Sequence, residues 1–483
     1  MRVLPAILGA VVIASAVVDP ALAQSTTLTL QQAVAEALVR NDRILDQGDL
    51  LAQADLDLRL ARNEFRPKIV PNVFGSFGQT DVASQHYHVD VTQRLTTGTE
   101  LRLGVGTATS QIPDVDGGED VRFYNADTTL LLTQPLLRGF GPGVARRGLT
   151  SAELRRSGVE RKHEVVRRQV AIEAATAYYQ LVAQHAFVGV AQASVSRGQQ
   201  LHEAAEAKLA AGLVSQLDVL RARQLRADAE NQLADAIAGL DEARDVLLLV
   251  MGRDPGQPLA VDAAIPRTAS AIDAEAAVAI ALASRPEMQT LADAVSEANA
   301  RVAASRNQLL PQVDLNLAMT RRETAPGFVE SFGFNRFRLA TFFAIGMPLD
   351  RTTQSVQFSQ ALLERERRDR ERITLTRRIT ADVRREVRQR DRLARAVTTA
   401  ETSVELSRQE VEVSQLRYDR GLSNNLDLVT AEGQLLAAEG RRIAALAQSA
   451  VQQLQLRAAM GVLDAASEMG QPVPPAAGQG APR

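Results

Sequence analysis

Proline constrains this chain most, through where it is missing. No proline lies between Pro142 and Pro255, or between Pro348 and Pro472, gaps of 112 and 123 residues. Inside a helix a proline removes a hydrogen bond and clashes with the preceding turn, at a cost of about 3 kcal/mol. Gaps of this size are therefore open to helices of unusual length. Both are rich in Ala, Leu, Arg, Glu and Gln, the strong helix formers. Leu225, Ala229, Leu233, Ala236, Leu240, Ala243, Leu247 and Val250 recur at spacings of four and three. That is an apolar seam of the coiled-coil type. An ordinary amphipathic core helix would account for one such stretch, but poorly for two gaps full of this sequence. Each gap has one interruption, at Ala211-Gly212-Leu213 and at Arg420-Gly421-Leu422. Glycine after a long helix is a stop signal, so each gap reads as a helical hairpin. The first arm, from Val144 to Ala211, would span roughly 100 Å at ~1.5 Å per residue.

The N-terminus reads as an address. Arg2 precedes the apolar run Val3 to Val18, which is followed by Ala21-Leu22-Ala23. This pattern is expected of a secretory signal over residues 1–23, cleaved near Ala23. No later stretch has 18 consecutive apolar residues, so any membrane crossed must be crossed by β-strands. The chain has no cysteine, which excludes disulfides, thiolate metal sites, a cysteine nucleophile and a lipid anchor on an N-terminal cysteine. Its net charge of −2 is not that of a polybasic nucleic-acid binder. Residues 351–395 hold 14 arginines against seven acids. They read as solvated helix faces with pairs one turn apart, and no nucleic acid is expected as partner.

The chain reads as a duplicated unit. Residues 33–42 are AVAEALVRND and residues 277–286 are AVAIALASRP, an offset of 244 that also carries Arg62-Asn63 onto Arg306-Asn307 and Pro67 onto Pro311. Beyond the hairpins an offset of 209 carries Gly212-Leu213 onto Gly421-Leu422, Leu217-Asp218 onto Leu426-Asp427, and Met251-Gly252 onto Met460-Gly461. The expected layout has a first repeat over 24–252: helices 28–66, a β segment 67–135 and a long hairpin 144–252. A linker over 253–271 follows. The second repeat covers 272–463, with helices 272–310, a β segment 311–348 and a hairpin 352–463. The tail 464–483, rich in Ala, Gly and Pro, is expected to be disordered.

The aromatic residues sit in the β segments. Of 18 aromatics, seven lie in residues 65–140 and seven in 311–358. There Val313, Leu315, Leu317 and Met319 alternate with Asp314, Asn316, Ala318 and Thr320, and Leu339, Thr341, Phe343, Ile345 and Met347 alternate with small or aromatic residues. Such alternation over about 9–11 residues is the mark of an outer-membrane strand. Phe328, Phe332, Phe334 and Phe337 cluster between the two strands, as aromatics do at lipid headgroups. A soluble β cap on a coiled coil is the alternative. The first segment is longer by a second hairpin signal, Val89, Val91 and Leu95, then Thr96-Thr97-Gly98-Thr99, then Leu101, Leu103 and Val105, with a longer loop around Asp114–Asp120. Four strands are expected from the first segment and two from the second. Four to six strands cannot close a membrane barrel, since the smallest have about eight. An open sheet would leave edge groups unpaired in lipid. The strand number alone therefore points to strands shared between chains.

The order of these features resembles the TolC-like outer membrane efflux proteins across the mature chain. The resemblance is carried by Leu28-Thr29-Leu30-Gln31-Gln32-Ala33, Leu132-Thr133-Gln134-Pro135-Leu136-Leu137-Arg138-Gly139, Ala177-Tyr178-Tyr179-Gln180-Leu181, Ala211-Gly212-Leu213-Val214-Ser215-Gln216-Leu217-Asp218 and Tyr418-Asp419-Arg420-Gly421. It implies a mostly helical fold with a membrane β-barrel portion: long hairpins forming a periplasmic α-barrel and strands given to a barrel shared by a homotrimer. It further implies passive export across the outer membrane, driven through a periplasmic adaptor protein by an inner-membrane pump. On that resemblance Gly212, Leu213, Val214, Gly421, Leu422 and Ser423 are tips that meet the adaptor. Asp218 and Asp427 match entrance aspartates and Tyr418 a residue of the closing network. Ser423 stands where some relatives have a linking arginine, a part Arg420 could take, and Thr430 stands where a second aspartate is found. Equally, the glycines could simply close hairpins, and the aspartates could be solvent-facing acids of helix N-termini.

No catalytic constellation is present, so no enzyme, cofactor or metal site is expected. His86-x-His88 has no acidic or sulfur partner placed to complete a metal site and is expected at an extracellular loop or strand end. His163-Glu164 lacks the second histidine of a zinc protease. Gly139-Phe140-Gly141-Pro142-Gly143 lacks dinucleotide spacing. Besides an export duct, a structural or adhesive outer-membrane coiled-coil stalk is a possible reading, though a stalk needs neither duplicated hairpins nor paired Gly-Leu tips. A periplasmic adaptor would carry soluble β-domains that are missing here.

Overall fold

The structure, a computed structural model, describes residues 27–75, 84–112, 121–262, 265–266, 272–332 and 337–463. The expected signal sequence, the loop at Asp114–Asp120, Phe334 and the tail 464–483 lie outside the described residues.

The first half runs through helices α1 (Leu30–Arg40) and α2 (Asp42–Asn63), then strands β1 (Lys68–Gly75), β2 (Ser84–Arg94), β3 (Glu100–Ile112) and β4 (Val121–Pro135). The short α3 (Pro142–Ala145) follows, then α4 (Arg147–Ala210) and α5 (Gln216–Val250). The second half runs α6 (Ala274–Ser284), α7 (Pro286–Asn307), β5 (Gln312–Ala325), the short α8 (Phe328–Ser331), β6 (Arg338–Gly346), α9 (Thr352–Asp419) and α10 (Asn425–Ala459). The four and two strands expected from the two β segments are all present. No described helix is long and apolar enough to cross a membrane.

At 64 and 68 residues, α4 and α9 are each close to 100 Å long at ~1.5 Å per residue. Neither has a proline within it, and each ends where a glycine follows. Packing along them is thin. Along α5, Ala229, Ala236 and Ala243 are buried, with Leu247 beside them near the end. Alanine on the contact stripe lets helix axes approach closely over a long distance. Larger groups gather midway, where α1, α4, α5 and α10 meet around Tyr178, Tyr179, Leu181, Leu247, Met251 and Leu454. There the Tyr178 hydroxyl donates to the carbonyls of Leu28 and Asp262 at 3.2 and 3.0 Å, tying in the bridge Leu28–Val261. Burial in this core pushes the Tyr179 phenol up to about 12.

The ends of the shorter helices are held in a matched way. Asn41, between α1 and α2, donates its Nδ2 to the carbonyl of Val250 at 2.9 Å. Arg285, between α6 and α7, donates its Nε to the carbonyl of Ala459 at 2.7 Å. Beside them Gly252 and Gly461 adopt φ +73° and +74°. In each case the backbone of the next hydrogen-bonded turn closes the helix, Arg253 N–H to Leu248 carbonyl at 2.8 Å and Val462 N–H to Arg457 carbonyl at 3.1 Å. Arg253 then reaches Glu36 with two hydrogen bonds, at 2.7 and 2.5 Å.

All six strands form one antiparallel sheet in chain order, β1-β2-β3-β4-β5-β6. Ile69, Val91, Leu103, Leu130, Met319 and Leu339 stand opposite one another in a single row across its full width. The next row, Val70, Asp90, Gly104, Thr129, Thr320 and Arg338, points to the other face, because side chains alternate along a strand. The sheet thus has one apolar face and one largely polar face. Its outer strands are open: β6 is exposed at every residue, and β1 at all but one. The histidines, expected at an extracellular loop or strand end, are placed by this register. His86 and His88 lie within β2, and the two-residue period brings Asp90 to His88, Nε2 to Oδ1 3.1 Å.

Gly252 offers a direct test. A methyl group there would sit 2.7 Å from the Arg40 carbonyl oxygen, while at Gly256, also at positive φ (+83°), nothing lies within 4 Å. Gly256→Ala is expected to cost about 1–2 kcal/mol for the left-handed backbone alone, and Gly252→Ala distinctly more. Thermal melts of the helical circular dichroism signal would show the difference.

Candidate functional site

The ends of the two hairpins farthest from the sheet are built alike. Helix α4 is closed by Gly212 at φ +74°, with Gly212 N–H bonded to the Leu209 carbonyl and Leu213 N–H to the Lys208 carbonyl, both at 2.8 Å. Helix α9 is closed by Gly421 at φ +70°, with Gly421 N–H on the Tyr418 carbonyl at 3.1 Å and Leu422 N–H on the Arg417 carbonyl at 2.9 Å. Three residues later the next helix begins at a polar cap, Ser215 for α5 and Asn424 for α10. The left-handed glycine and the cap reverse the chain within a few residues. This leaves Leu213 and Leu422 74% and 68% exposed at the tips. Val214 and Ser423 are half-buried behind them.

The two tips pack on each other. Leu201, Ala205, Ala222, Tyr418 and Leu428 form a small core with Val214, Val219 and Val429 around it. Tyr418 is 2% exposed, and Lys208 of the other hairpin stands 3.8 Å above its ring. The same ammonium donates to the Tyr418 carbonyl at 3.2 Å and to Asp419 Oδ1 at 3.3 Å. Asn425, fully buried, donates its Nδ2 to the Asp218 carbonyl at 2.6 Å, stitching the start of α10 to the start of α5. Farther along, Arg197 Nε of α4 reaches Glu432 of α10 at 2.7 Å.

Asp218 and Asp427 part company here. Asp218 is buried, and its Oδ2 accepts from Ser215 Oγ at 2.8 Å and Ser215 N–H at 3.1 Å, while Asp218 N–H donates back to Ser215 Oγ at 3.3 Å. This reciprocal box caps α5, so the carboxylate serves its own helix and is not a solvent-facing acid. Asp427 is exposed on the first turn of α10, as the matching position of that helix would suggest. Arg420 is exposed at the end of α9 and is not the cation of this cluster; Lys208 is. Lys208, Asn425 and Ser215 were not singled out from the sequence. Ser215 alone left a signal, a serine three residues before an aspartate at a helix start.

Charges at the tip are shifted in consistent directions. Burial raises the Tyr418 phenol, and the negative charges of Asp218 and Asp419 add to it. A hydrogen bond from Gln415, with the bond and charge of Lys208, holds the Asp419 carboxyl below the ordinary carboxylate range. Near neutral pH the Tyr418 phenol is therefore neutral and the Asp419 carboxyl charged. The Tyr418 hydroxyl, buried, has no hydrogen-bond partner among the described residues.

Residues 277–462 match the family of outer membrane efflux proteins. The chain carries an outer membrane efflux protein domain. That domain takes in most of α6 and all of α7 to α10, with two of the six strands and the tip Gly421-Leu422-Ser423. No curated protein matches the chain. Solved structures match across both halves. The outer membrane protein VceC of Vibrio cholerae shares 17% identity over 89% of this chain and 96% of its own, with a TM-score of 0.67. The open-state MtrE outer membrane channel of Neisseria gonorrhoeae shares 19% over 90% and 89%, at 0.64. The CmeC outer membrane channel of Campylobacter jejuni shares 15% over 91% and 87%, at 0.63. At such identities the likeness establishes the fold, and it extends beyond the efflux domain to the first half.

The tip network makes separable expectations. Tyr418→Phe removes only an unpartnered hydroxyl and should leave stability within about 0.5 kcal/mol. Tyr418→Ala empties the small core and should cost about 3 kcal/mol or more. Asn425→Ala leaves a buried carbonyl short of its donor and should cost about 1–3 kcal/mol. Thermal unfolding of the purified protein, with limited proteolysis at the tips, checks all three.

Proposed function

We propose that this protein is the outer-membrane duct of a tripartite efflux or type I secretion system. Three copies form a passive channel through the outer membrane and across the periplasm. A periplasmic adaptor engages the tips and an inner-membrane pump drives export. The observation that carries this reading is the sheet. One face is apolar in an unbroken row, the other is largely polar, and both outer strands are open. In lipid, unpaired backbone groups at an open edge cost several kcal/mol each, so such a sheet is stable there only when closed into a ring. The family match and the fold of the solved channels support the same reading. Residues 1–23 serve as the export signal. The matched bonds of Asn41 and Arg285, and the matched glycines Gly252 and Gly461, support two copies of one ancestral unit, since the offsets of 244 and 209 carry one set onto the other.

The helices carry complementary edges for such a ring. Within the chain the long helices lie in the order α5, α4, α10, α9, leaving α5 and α9 at the margins. On α9 an exposed seam recurs every three or four residues, with Arg388, Arg392 and Arg395 toward the middle and Leu406, Val413 and Leu416 toward the tip. On α5 the exposed seam has Leu217 and Leu220 at the tip, Ala227, Ala234 and Ala238 next, then Asp241. Laid antiparallel, leucines meet leucines at the tip and Arg392 meets Asp241 near the middle, as a neighbouring copy would require. A coiled-coil stalk would explain the helices but not the two-faced open sheet.

The test is direct. Protein purified from outer membranes should be a trimer that conducts single-channel current in bilayers; a monomer without conductance would end the reading. At the entrance, Asp427 is the aspartate free to face the pore, with Asp218 holding the start of α5. Asp427→Ala should lower cation preference in bilayer recordings, by focusing less negative potential at the mouth, whereas Asp218→Asn should act mainly on stability. For the helix seam, Arg392→Glu should loosen the trimer on native gels by about 0.5–1 kcal/mol per interface, and adding Asp241→Arg should restore it.

A further inference from the structure

We infer that the hairpin of β2 and β3 is part of the channel wall, so that the assembled barrel has 18 strands, six from each chain. The inference rests on the trimeric duct reading and fixes what that reading leaves open: whether the longer first β segment lines the barrel or sits outside it.

Four features of the sheet place the hairpin in the wall. First, it is central. Strand β2 pairs with β1 from Gln85 to Thr92 through one edge, while its other edge pairs with β3 from Ser84 to Arg94, and β3 in turn pairs with β4 from Glu100–Thr133 to Ile112–Val121. Removing the hairpin from the wall would break two full ladders and strand β1 with no partner in the chain. Second, Val91 and Leu103 of the hairpin fill the middle of the apolar row between Ile69 and Leu130. A hairpin outside the wall would have no reason to continue the lipid-facing pattern in register. Third, its opposite face carries the polar and small groups of a lumen. His88, Asp90 and Asn72 join through hydrogen bonds of 3.1 and 3.3 Å, and the His88 ring lies over Gly104 and Gly106 of β3, where a methyl at Gly106 would collide with it. Glycines at such positions are where a curving wall allows close cross-strand packing. Fourth, the hairpin turn is anchored at the helix end of the sheet. Gly98, at φ +93°, lies against the Gly139 carbonyl, Gly141 N–H donates to the Thr97 carbonyl at 3.2 Å, and Thr99 Oγ donates to Gln134 at 2.5 Å. This is what the glycines of Gly139-Phe140-Gly141-Pro142-Gly143 do: they admit the turn beside the exit to α3.

The open edges then have one occupant. Strands β1, β3 and β5 run away from the helices and β2, β4 and β6 run back, so β6 of one copy lies antiparallel to β1 of the next. Both edges carry exposed apolar side chains on the same face, Ile69 and Val73 in β1 and Phe343 and Ile345 in β6. Six strands from each of three copies give 18, against 12 if the hairpin were excluded. Barrel width grows roughly in proportion to strand number, so the wall is about half again as wide, in the range where barrels hold an aqueous channel. The outer-membrane section is then wide, and the helical tips form the narrow part of the path.

The chain has no cysteine, so introduced pairs report cleanly. Ile69→Cys or Val73→Cys is combined with Phe343→Cys or Ile345→Cys in the full-length protein, oxidised in native outer membranes and run on denaturing gels; Ile69→Cys plus Leu130→Cys is the competing pair, since β1 would lie beside β4 if the hairpin left the wall. Covalent trimers from at least one β1–β6 pair, and no intramolecular bond from the β1–β4 pair, are expected. An intramolecular β1–β4 bond, or no cross-link through any β1–β6 pair in protein that still sizes as a trimer, overturns the 18-stranded wall. Electron microscopy of the same trimer gives the independent count, 18 strands expected and 12 fatal to the inference. Loss of the trimer itself in the unsubstituted protein would strike the duct reading instead, and native mass distinguishes that case.

Discussion

An edge strand has nowhere to hide its backbone in lipid, and this protein has two such strands at the margins of one sheet. Within the chain β1 and β6 cannot reach each other, because four strands separate them in an ordered antiparallel series. Their apolar flanks make solvation in water no better a solution. In the proposed duct, closure comes from other copies, and the ring that closes the strands also sets where the helices stand. The margins of the helical layer, α5 and α9, expose leucines near the tip and Asp241 and Arg392 farther along, groups that the proposed contact between copies would pair. Sheet and helices thus impose one requirement at two levels of the molecule.

The helices meet a different constraint. A helix close to 100 Å long cannot curl around a core, so it is stabilised along a line. Small side chains on that line, as at Ala229, Ala236 and Ala243, bring neighbouring helices together without bulk. The larger groups are concentrated where α1 and the linker cross the long helices, around Tyr178 and Met251. The helix ends are where errors would be most damaging, since four carbonyls are orphaned at each. Left-handed glycines at Gly212, Gly252, Gly421 and Gly461 satisfy them in the same way each time.

Much of this was legible in the sequence for physical reasons that act locally. Missing prolines, helix-forming residues and a glycine before a polar cap specify a hairpin without reference to the rest of the chain. Alternation of Val, Leu and Phe with smaller or polar residues specifies strands, and the extra turn at Thr96–Thr99 specified the additional hairpin. The tip was less legible. Asp218 and Asp427 occupy matching positions, but Ser215 precedes one and Ser423-Asn424 the other. The first is drawn into a capping box, and the second is left in solvent. Lys208 and Asn425 act across more than two hundred residues of sequence, on Tyr418 and on Asp218, and no local pattern announces such partners. The same holds for His88 and Asp90, whose meeting depends on lying within a strand and not in a loop.

By itself the sequence determined the parts: two long hairpins, their glycine turns, the strands and their alternating faces. Each of these follows from short-range terms, namely backbone freedom, hydrogen-bond supply within a turn and side-chain period. Tertiary structure alone decided which parts touch. It set the six strands in one unbroken order, aligned Ile69 with Leu339 through four intervening strands, and turned Asp218 inward while leaving Asp427 out. Register and burial are properties of the whole packed chain, because each pairing is fixed only once its neighbours on both sides are in place.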